Sequence, residues 1–156
     1  MKRLLRCVVL LAASIMIGLV VVLTAAATPS SSVTLFLTQH DDYGTIRWSA
    51  HGGLEDSGTW DKGRVTFSGG KSPVYAGMIA TVETNDAGTG SFRMNFQGLG
   101  YNATGVFTGT WEISQGTGIY AKLHGTGTWS EVDIPDPDNQ GHLLFTFPCK
   151  GNVHID

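Results

Sequence analysis

Apolar and polar residues alternate along most of this chain after residue 32. Residues 91–97 are the clearest example, because Phe92, Met94 and Phe96 share one face of an extended strand and polar side chains share the other. Similar alternation or short apolar runs occur at 33–38, 45–51, 64–68, 78–84, 105–113, 119–124, 126–132 and 142–148. Apolar residues do not recur at helical spacing anywhere in this part of the chain. The pattern predicts eight or nine β-strands.

Glycine-rich segments separate these runs at nearly regular intervals. Residues 85–90 lie between two alternating runs and tolerate positive φ, which is typical of a hairpin loop. Other glycine turns are at 52–53, 69–70, 98–100 and 116–118. Glycines inside strands, such as Gly109 and Gly125, suit the tight bends of a small barrel, and closure removes exposed strand edges. We therefore expect an all-β fold, a closed antiparallel β-barrel of about eight strands, in one domain at 33–156.

The first 27 residues have a different pattern. Three basic residues among the first six precede an uninterrupted apolar or small run at 8–23, and small residues follow at 24–27. This order is typical of a secretory signal helix that is cleaved, here after about Ala27, and a short polar linker follows at 28–32. We expect a secreted domain. The alternative is a membrane anchor, since the apolar run is nearly long enough to span a bilayer, and both place the domain outside the cytoplasm.

Charge and cysteine content limit the partners of the remaining chain. Cleavage would remove three of ten basic residues and none of thirteen acidic ones, so seven against thirteen leaves a net charge of −6 with histidine neutral. We expect no nucleic-acid partner and, after cleavage, no membrane partner. Cys149 is then the single cysteine, so packing rather than an internal disulfide must stabilise the fold. We interpret Cys149 as a half-buried apolar residue; the alternatives are a reactive thiol or an intermolecular disulfide, and a homodimer is possible.

Six aromatic residues are candidates for the wall of a ligand site. They are Trp48, Trp60, Tyr101, Trp111, Tyr120 and Trp129. Barrels bind small molecules in apolar pockets that contain a few polar groups. The alternative is that the tryptophans fill the core or plug one end. Tyr101 and Tyr120 are next to glycine turns, which predicts that they lie at the barrel mouth with their hydroxyls in solvent.

The segment 105–129 contains the most specific motif of the chain. It combines a strand, a Gly-Thr-Gly turn at 116–118, Tyr120, and a second Gly-Thr-Gly at 125–127. This order resembles the glycine-punctuated hairpin of the allene oxide cyclase/dirigent-like β-barrel superfamily. The resemblance covers about 25 residues. It implies an eight-stranded antiparallel barrel whose ligand, where one is known, lies in the lumen or mouth, and it places no catalytic residue in this chain.

One weak repeat and one looser similarity also bear on the architecture. The tripeptide Gly-Thr-Trp occurs at 58–60, 109–111 and 127–129 without a strict period, which indicates reused hairpin chemistry rather than a propeller or solenoid. Residues 57–60, followed by 67–70, are similar to the opening hairpin of avidin-like and lipocalin-like barrels.

No metal or cofactor site is expected. In the acidic loop 133–141, Asp136, Asp138 and Gly141 occupy positions 1, 3 and 6 of a calcium-loop pattern. Position 12 is Phe147, where a bidentate glutamate is required, so we expect a solvated loop, with Asp136 and Asp138 as the calcium alternative. The five histidines have no spacing typical of zinc ligands.

These observations favour a secreted, non-catalytic barrel that binds a small apolar or aromatic ligand. The first alternative is a structural or cell-envelope domain that interacts through its outer surface. The second is an enzyme similar to allene oxide cyclase or to a dirigent protein, which requires a buried carboxylate or amide facing an open cavity. Serine hydrolysis is set aside, because no Gly-x-Ser-x-Gly nucleophile elbow is present.

Overall fold

The chain forms a closed antiparallel β-barrel. The computed structural model describes residues 28–40, 46–68, 74–101, 106–137 and 140–156. Within them lie β1 (Ser31–His40), β2 (Arg47–Gly52), β3 (Asp56–Ser68), β4 (Val74–Asn85), β5 (Ser91–Tyr101), β6 (Val106–Gly116), a single 3-10 turn (Gly118–Tyr120), β7 (Leu123–Ser130), β8 (Val132–Pro135) and β9 (Leu143–Ile155). The sheet runs from β1 to β7 and on to β9, which pairs back onto β1. The short β8 continues β7 along β9, so eight strand positions close the barrel, and the predicted fold is confirmed.

The predicted signal helix at 1–27 lies outside the described residues. None of the described residues belongs to a helix with the length and hydropathy that a bilayer crossing requires.

The predicted hairpin loop at 85–90 is confirmed. It joins β4 to β5, and Gly88 adopts a positive φ of 67°. The Asn85 side chain holds the loop, because its oxygen accepts from the N–H of Thr89 at 2.9 Å and its nitrogen donates to the Thr89 hydroxyl at 2.9 Å.

The predicted strand at 119–124 is wrong. The first part of that segment lies in the 3-10 turn Gly118–Tyr120, and β7 begins only at Leu123. Gly118 has a φ of 57°, a conformation that L side chains rarely adopt, and it turns the chain across one end of the barrel. The apolar residues of this segment therefore do not alternate across a sheet, and Tyr120 folds inward.

Inward side chains fill the half of the barrel nearest Tyr120, which we call the plugged half. Its buried residues are Val33, Leu35, Trp48, Ala50, Phe92, Met94, Trp111, Ile113, Tyr120, Leu123 and Val153. The rings pack edge to face, with centroids 5.2 Å apart for Trp48 and Phe92 and 5.1 Å apart for Phe92 and Tyr120. These side chains interdigitate as densely as those of an ordinary protein core. We call the other half of the barrel the hollow half, and a cavity of the lumen can lie only there.

The Gly-Thr-Trp repeat has a packing role rather than a turn role. The indole of Trp48 crosses the neighbouring strand at Gly58, and its Nε1 donates to the backbone oxygen of Thr84 at 3.1 Å. A Cβ at Gly58 would lie 1.9 Å from that oxygen and 2.7 Å from the indole nitrogen. Gly127 has the same relation to Trp111, at 2.7 Å from its Nε1. In two of the three copies the glycine is therefore a bare site for an indole from an adjacent strand, whereas a Cβ at Gly109 would instead meet the backbone oxygen of Gln97 at 1.8 Å.

Tyr120 closes the plugged end with a buried hydrogen bond. Its ring is 2 % exposed and its hydroxyl donates to the Asp56 carboxylate. The predicted position at the mouth, with the hydroxyl in solvent, is therefore wrong for Tyr120. Burial would raise the pKa of Asp56, but hydrogen bonds from Tyr120, from the Ser57 N–H and from the Asn85 side chain lower it below its usual value.

We expect Tyr120→Phe to destabilise the barrel by about 2 kcal/mol at pH 7, since a hydrogen bond to a charged group contributes about 1.5–3 kcal/mol. A depressed carboxyl pKa contributes stability above the unfolded-state value and loses it as the pH falls through the folded-state value. The loss should therefore shrink at pH 3 and below. Urea unfolding at both pH values measures it. Tyr101→Phe, on an exposed side chain, is the control, and equal effects of the two variants would contradict the role assigned to the Tyr120 hydroxyl.

Candidate ligand cavity in the hollow half of the barrel

The hollow half contains two adjacent cavities, and both are partly open to solvent. We call the one lined by Gln39 the inner cavity, with a volume of about 40 Å³, and the one bordered by Glu131 the outer cavity, with a volume of about 160 Å³. Ile79, Phe96, Trp129 and Phe147 line both, so the cavities are neighbours in the lumen. The connections at this end of the barrel, at 41–45, 69–73, 102–105 and 138–139, lie outside the described residues.

Four aromatic rings form most of the cavity wall and hold one another in place. Trp60 meets Phe147 edge to face at a centroid distance of 6.4 Å, and Phe96 meets Trp129 in the same way at 5.8 Å. The two indole N–H groups donate to backbone oxygens of other strands, at 3.2 and 3.3 Å. Gly98 leaves room for one indole, because a Cβ there would lie 2.7 Å from Trp129 Cζ2. The indoles therefore present apolar faces to the cavity, with their donors already used.

The inner cavity has two polar side chains in its lining, Gln39 and Thr81. Gln39 is 8 % exposed, and its amide makes no hydrogen bond within the described part of the chain. The hydroxyl of Thr81 donates to the carboxyl of Glu83. The cavity thus combines apolar walls with one hydroxyl that already donates a hydrogen bond and one amide that does not.

Glu83 lies behind Thr81, within the core, and does not line the cavity. It is fully buried, and its Oε2 has no hydrogen-bond partner among the described residues. Burial raises the pKa of Glu83 from 4.5 to about 8, although hydrogen bonds from Thr81 and from the backbone N–H groups of Glu83 and Met94 act in the opposite direction. The group is therefore a neutral carboxylic acid at pH 7, which is how a core tolerates a carboxyl without a cation.

Cys149 is fully buried rather than half-buried, which corrects the prediction. Burial, together with the nearby Glu83 carboxyl, raises the pKa of its thiol well above the usual range. A neutral thiol without exposed surface does not fit a reactive cysteine or an intermolecular disulfide in the folded barrel.

The structure separates the six predicted aromatic residues into three groups. All four tryptophans belong to the buried core, but Trp60 and Trp129 line the cavity and Trp48 and Trp111 do not. Tyr120 closes the plugged end, as described above. Tyr101 is exposed at the end of β5, on the outer face of the barrel.

Sequence reasoning missed the polar residues of the cavity. Gln39 follows Leu35 and Leu37 at the same period of two, so the alternation already places a polar side chain inside the barrel. Thr81 and Glu83 follow Ile79 in the same way on β4. A polar residue that continues a series of inward-facing apolar residues therefore indicates a polar group in the lumen.

The calcium alternative gains no support. The Asp136 carboxylate is buried against Nδ1 of His40, and Asp138 lies outside the described residues. The expected solvated loop is wrong at its start, because residues 132–135 form β8. Within the described ranges, no group of three or more His, Cys, Asp or Glu side chains is arranged to hold a metal ion.

Fold and cavity together define a class, a closed eight-stranded antiparallel barrel with an apolar cavity in one half of its lumen. Comparisons of the chain with family models, with curated proteins and with solved structures found no significant match. The resemblance of residues 105–129 to the allene oxide cyclase/dirigent-like superfamily therefore remains an expectation from the sequence.

Proposed function

We propose that this protein is a secreted, non-catalytic barrel that binds a small apolar or aromatic molecule in its hollow half. The observation that supports the proposal is the contrast between the two halves of one lumen. The plugged half is filled by interlocking side chains, whereas the hollow half keeps an apolar cavity of about 160 Å³ beside a smaller one of about 40 Å³. Apolar cavities with a few polar groups in their lining are typical of small-molecule sites.

The size of the cavity favours a compact ligand. The outer cavity is close to the roughly 150 Å³ that accommodates a benzene molecule, and it is smaller than the roughly 300–1,000 Å³ of typical drug-sized pockets. A single ring is therefore the expected scale. Glu131 borders the outer cavity, and the domain is acidic overall, so an anion is disfavoured.

Filling the cavity should abolish binding. Ile79 lines both cavities, and Ile79→Trp inserts an indole into the lumen, so we expect it to weaken the binding of toluene at least tenfold in calorimetric titrations. The neighbouring outward residue Met78 is exposed, and Met78→Trp is the matched control that should bind toluene as the wild type does.

Native mass spectrometry of the purified protein supplies the independent test, because a retained small molecule would appear as excess mass. Wild-type protein that carries no ligand and shows no saturable binding of toluene would overturn the proposal. Equal binding by a folded Ile79→Trp variant would place the ligand outside this cavity.

The structural or envelope-domain alternative is supported by one surface. Met78, Leu99, Tyr101 and Val106 are all exposed on the outer face of β4, β5 and β6, and Tyr101 pairs directly with Val106. An apolar patch of this kind is typical of an interaction surface, including that of a homodimer. The enzyme alternative has less support, because Thr81 stands between the Glu83 carboxyl and the cavity.

A further inference from the structure

Gln39 is a polar side chain in a position that the rest of β1 gives to apolar ones. Val33, Leu35 and Leu37 precede it on the inward face of the strand, and it pairs in register with Phe145 of β9. Its side chain is 8 % exposed, lines the inner cavity and has no hydrogen-bond partner among the described residues. The amide faces a partly open cavity, and a carboxamide loses hydration at such a mostly buried position where an apolar residue would not. The amide is therefore available to a molecule in the cavity.

The other polar groups around the cavity are already engaged. The indole nitrogens of Trp60 and Trp129 donate to backbone oxygens, and the Thr81 hydroxyl donates to Glu83. Within the described part of the inner cavity, Gln39 is thus the side chain that offers both a donor and an acceptor to an occupant. These two groups lie side by side in one plane, which matches a partner that presents an acceptor and a donor in the same arrangement.

We propose that Gln39 anchors the ligand, and that the ligand class is a neutral single-ring carboxamide. This inference rests on the proposed function and names the chemistry of the same cavity. The carboxamide head occupies the inner cavity, where about 40 Å³ leaves room for a few atoms, and pairs with the Gln39 amide through two hydrogen bonds. The ring occupies the outer cavity of about 160 Å³, between Phe96, Trp129 and Phe147.

The surroundings select against a charged head group. The walls of the inner cavity are apolar apart from Gln39 and Thr81, and no described cation lines either cavity. A carboxylate of the same shape would lose its hydration without gaining a counter-ion, and it would also pass Glu131 at the outer cavity. Benzamide and benzoate therefore form a matched pair of probes, and toluene supplies the same ring without a polar head.

The test is calorimetric titration of the purified protein with these three probes. We expect benzamide to bind about tenfold more tightly than toluene, since one or two additional hydrogen bonds have about that value, and benzoate to show no measurable binding. Gln39→Leu should lower the affinity for benzamide relative to that for toluene about tenfold. Gln97→Leu, the same substitution on an exposed side chain of β5, should change neither.

Thermal unfolding separates an anchor from a structural residue. A mostly buried amide without a protein partner lowers the stability of the ligand-free protein. Gln39→Leu should therefore raise the melting temperature in the absence of ligand. A lowered melting temperature, or equal affinities for benzamide and toluene, would overturn the anchor while toluene binding would still support the proposed function. Failure of both toluene and benzamide to bind the wild type would overturn both proposals.

Discussion

Glu83→Gln should remove most of the pH dependence of this barrel's stability between pH 5 and pH 8. Burial raises the pKa of Glu83 from 4.5 to about 8. Between these values the native state keeps a proton that the unfolded chain has released, so the stability of the wild type falls as the pH rises, by about 1.4 kcal/mol per unit. The total amounts to about 5 kcal/mol, which is a large share of the stability of a small domain.

Urea unfolding at pH 5, 6, 7 and 8 measures this effect. The wild-type free energy of unfolding should be highest at pH 5 and lowest at pH 8, whereas that of Glu83→Gln should change little. The amide of the Glu83→Gln variant carries a second N–H hydrogen that has no acceptor in the core, so the variant should be less stable than the wild type at pH 5. The two curves of unfolding free energy against pH should therefore cross. Glu112→Gln is the control, because Glu112 is exposed and its removal should leave the wild-type slope. A slope that survives in Glu83→Gln would mean that another group binds the proton.

Gly127→Ala should cost at least about 3 kcal/mol of stability, since it places atoms in a packed core where overpacking and loss of a buried hydrogen bond act together. The new Cβ would lie 2.1 Å from the backbone oxygen of Lys150 and 2.7 Å from Trp111 Nε1. The indole would have to move away from the Thr128 oxygen that it now contacts at 3.1 Å.

Two variants on the same strand calibrate this loss. A Cβ at Gly125 would come within 2.8 Å of Val153, but its nearest neighbours are side-chain atoms that can move, so Gly125→Ala should cost less. Thr128 is exposed, and Thr128→Ala should cost less than about 1 kcal/mol. Chemical denaturation of the three variants should therefore rank Gly127 first and Thr128 last. A Gly127→Ala variant as stable as Thr128→Ala would show that the indole does not need the bare glycine.

The local pattern was sufficient for the architecture because strand geometry is local. Alternation with a period of two, as at Phe92 and Phe96, predicts which side chains face inward, and this prediction does not depend on the neighbouring strands. The turn at 85–90 is equally local, since Asn85 bonds to its own loop. The same local reasoning failed at 119–124, where the direction of the chain depends on contacts between the 3-10 turn and the β4–β5 loop, including the bond from the Ile119 N–H to the Thr89 oxygen at 3.3 Å.

The sequence by itself determined that this protein is a β-barrel with aromatic residues inside, since inward positions and turns are written in neighbouring residues. Only the tertiary structure decided which aromatic residues fill the core and which line a cavity. Trp48 and Trp60 are both inward, yet strand register places one in the plugged half and the other beside Gln39. The pairing of Gln39 with a cavity wall from β3, β4, β5, β7 and β9 follows from barrel closure, which brings together residues far apart in the chain, and no local pattern encodes it.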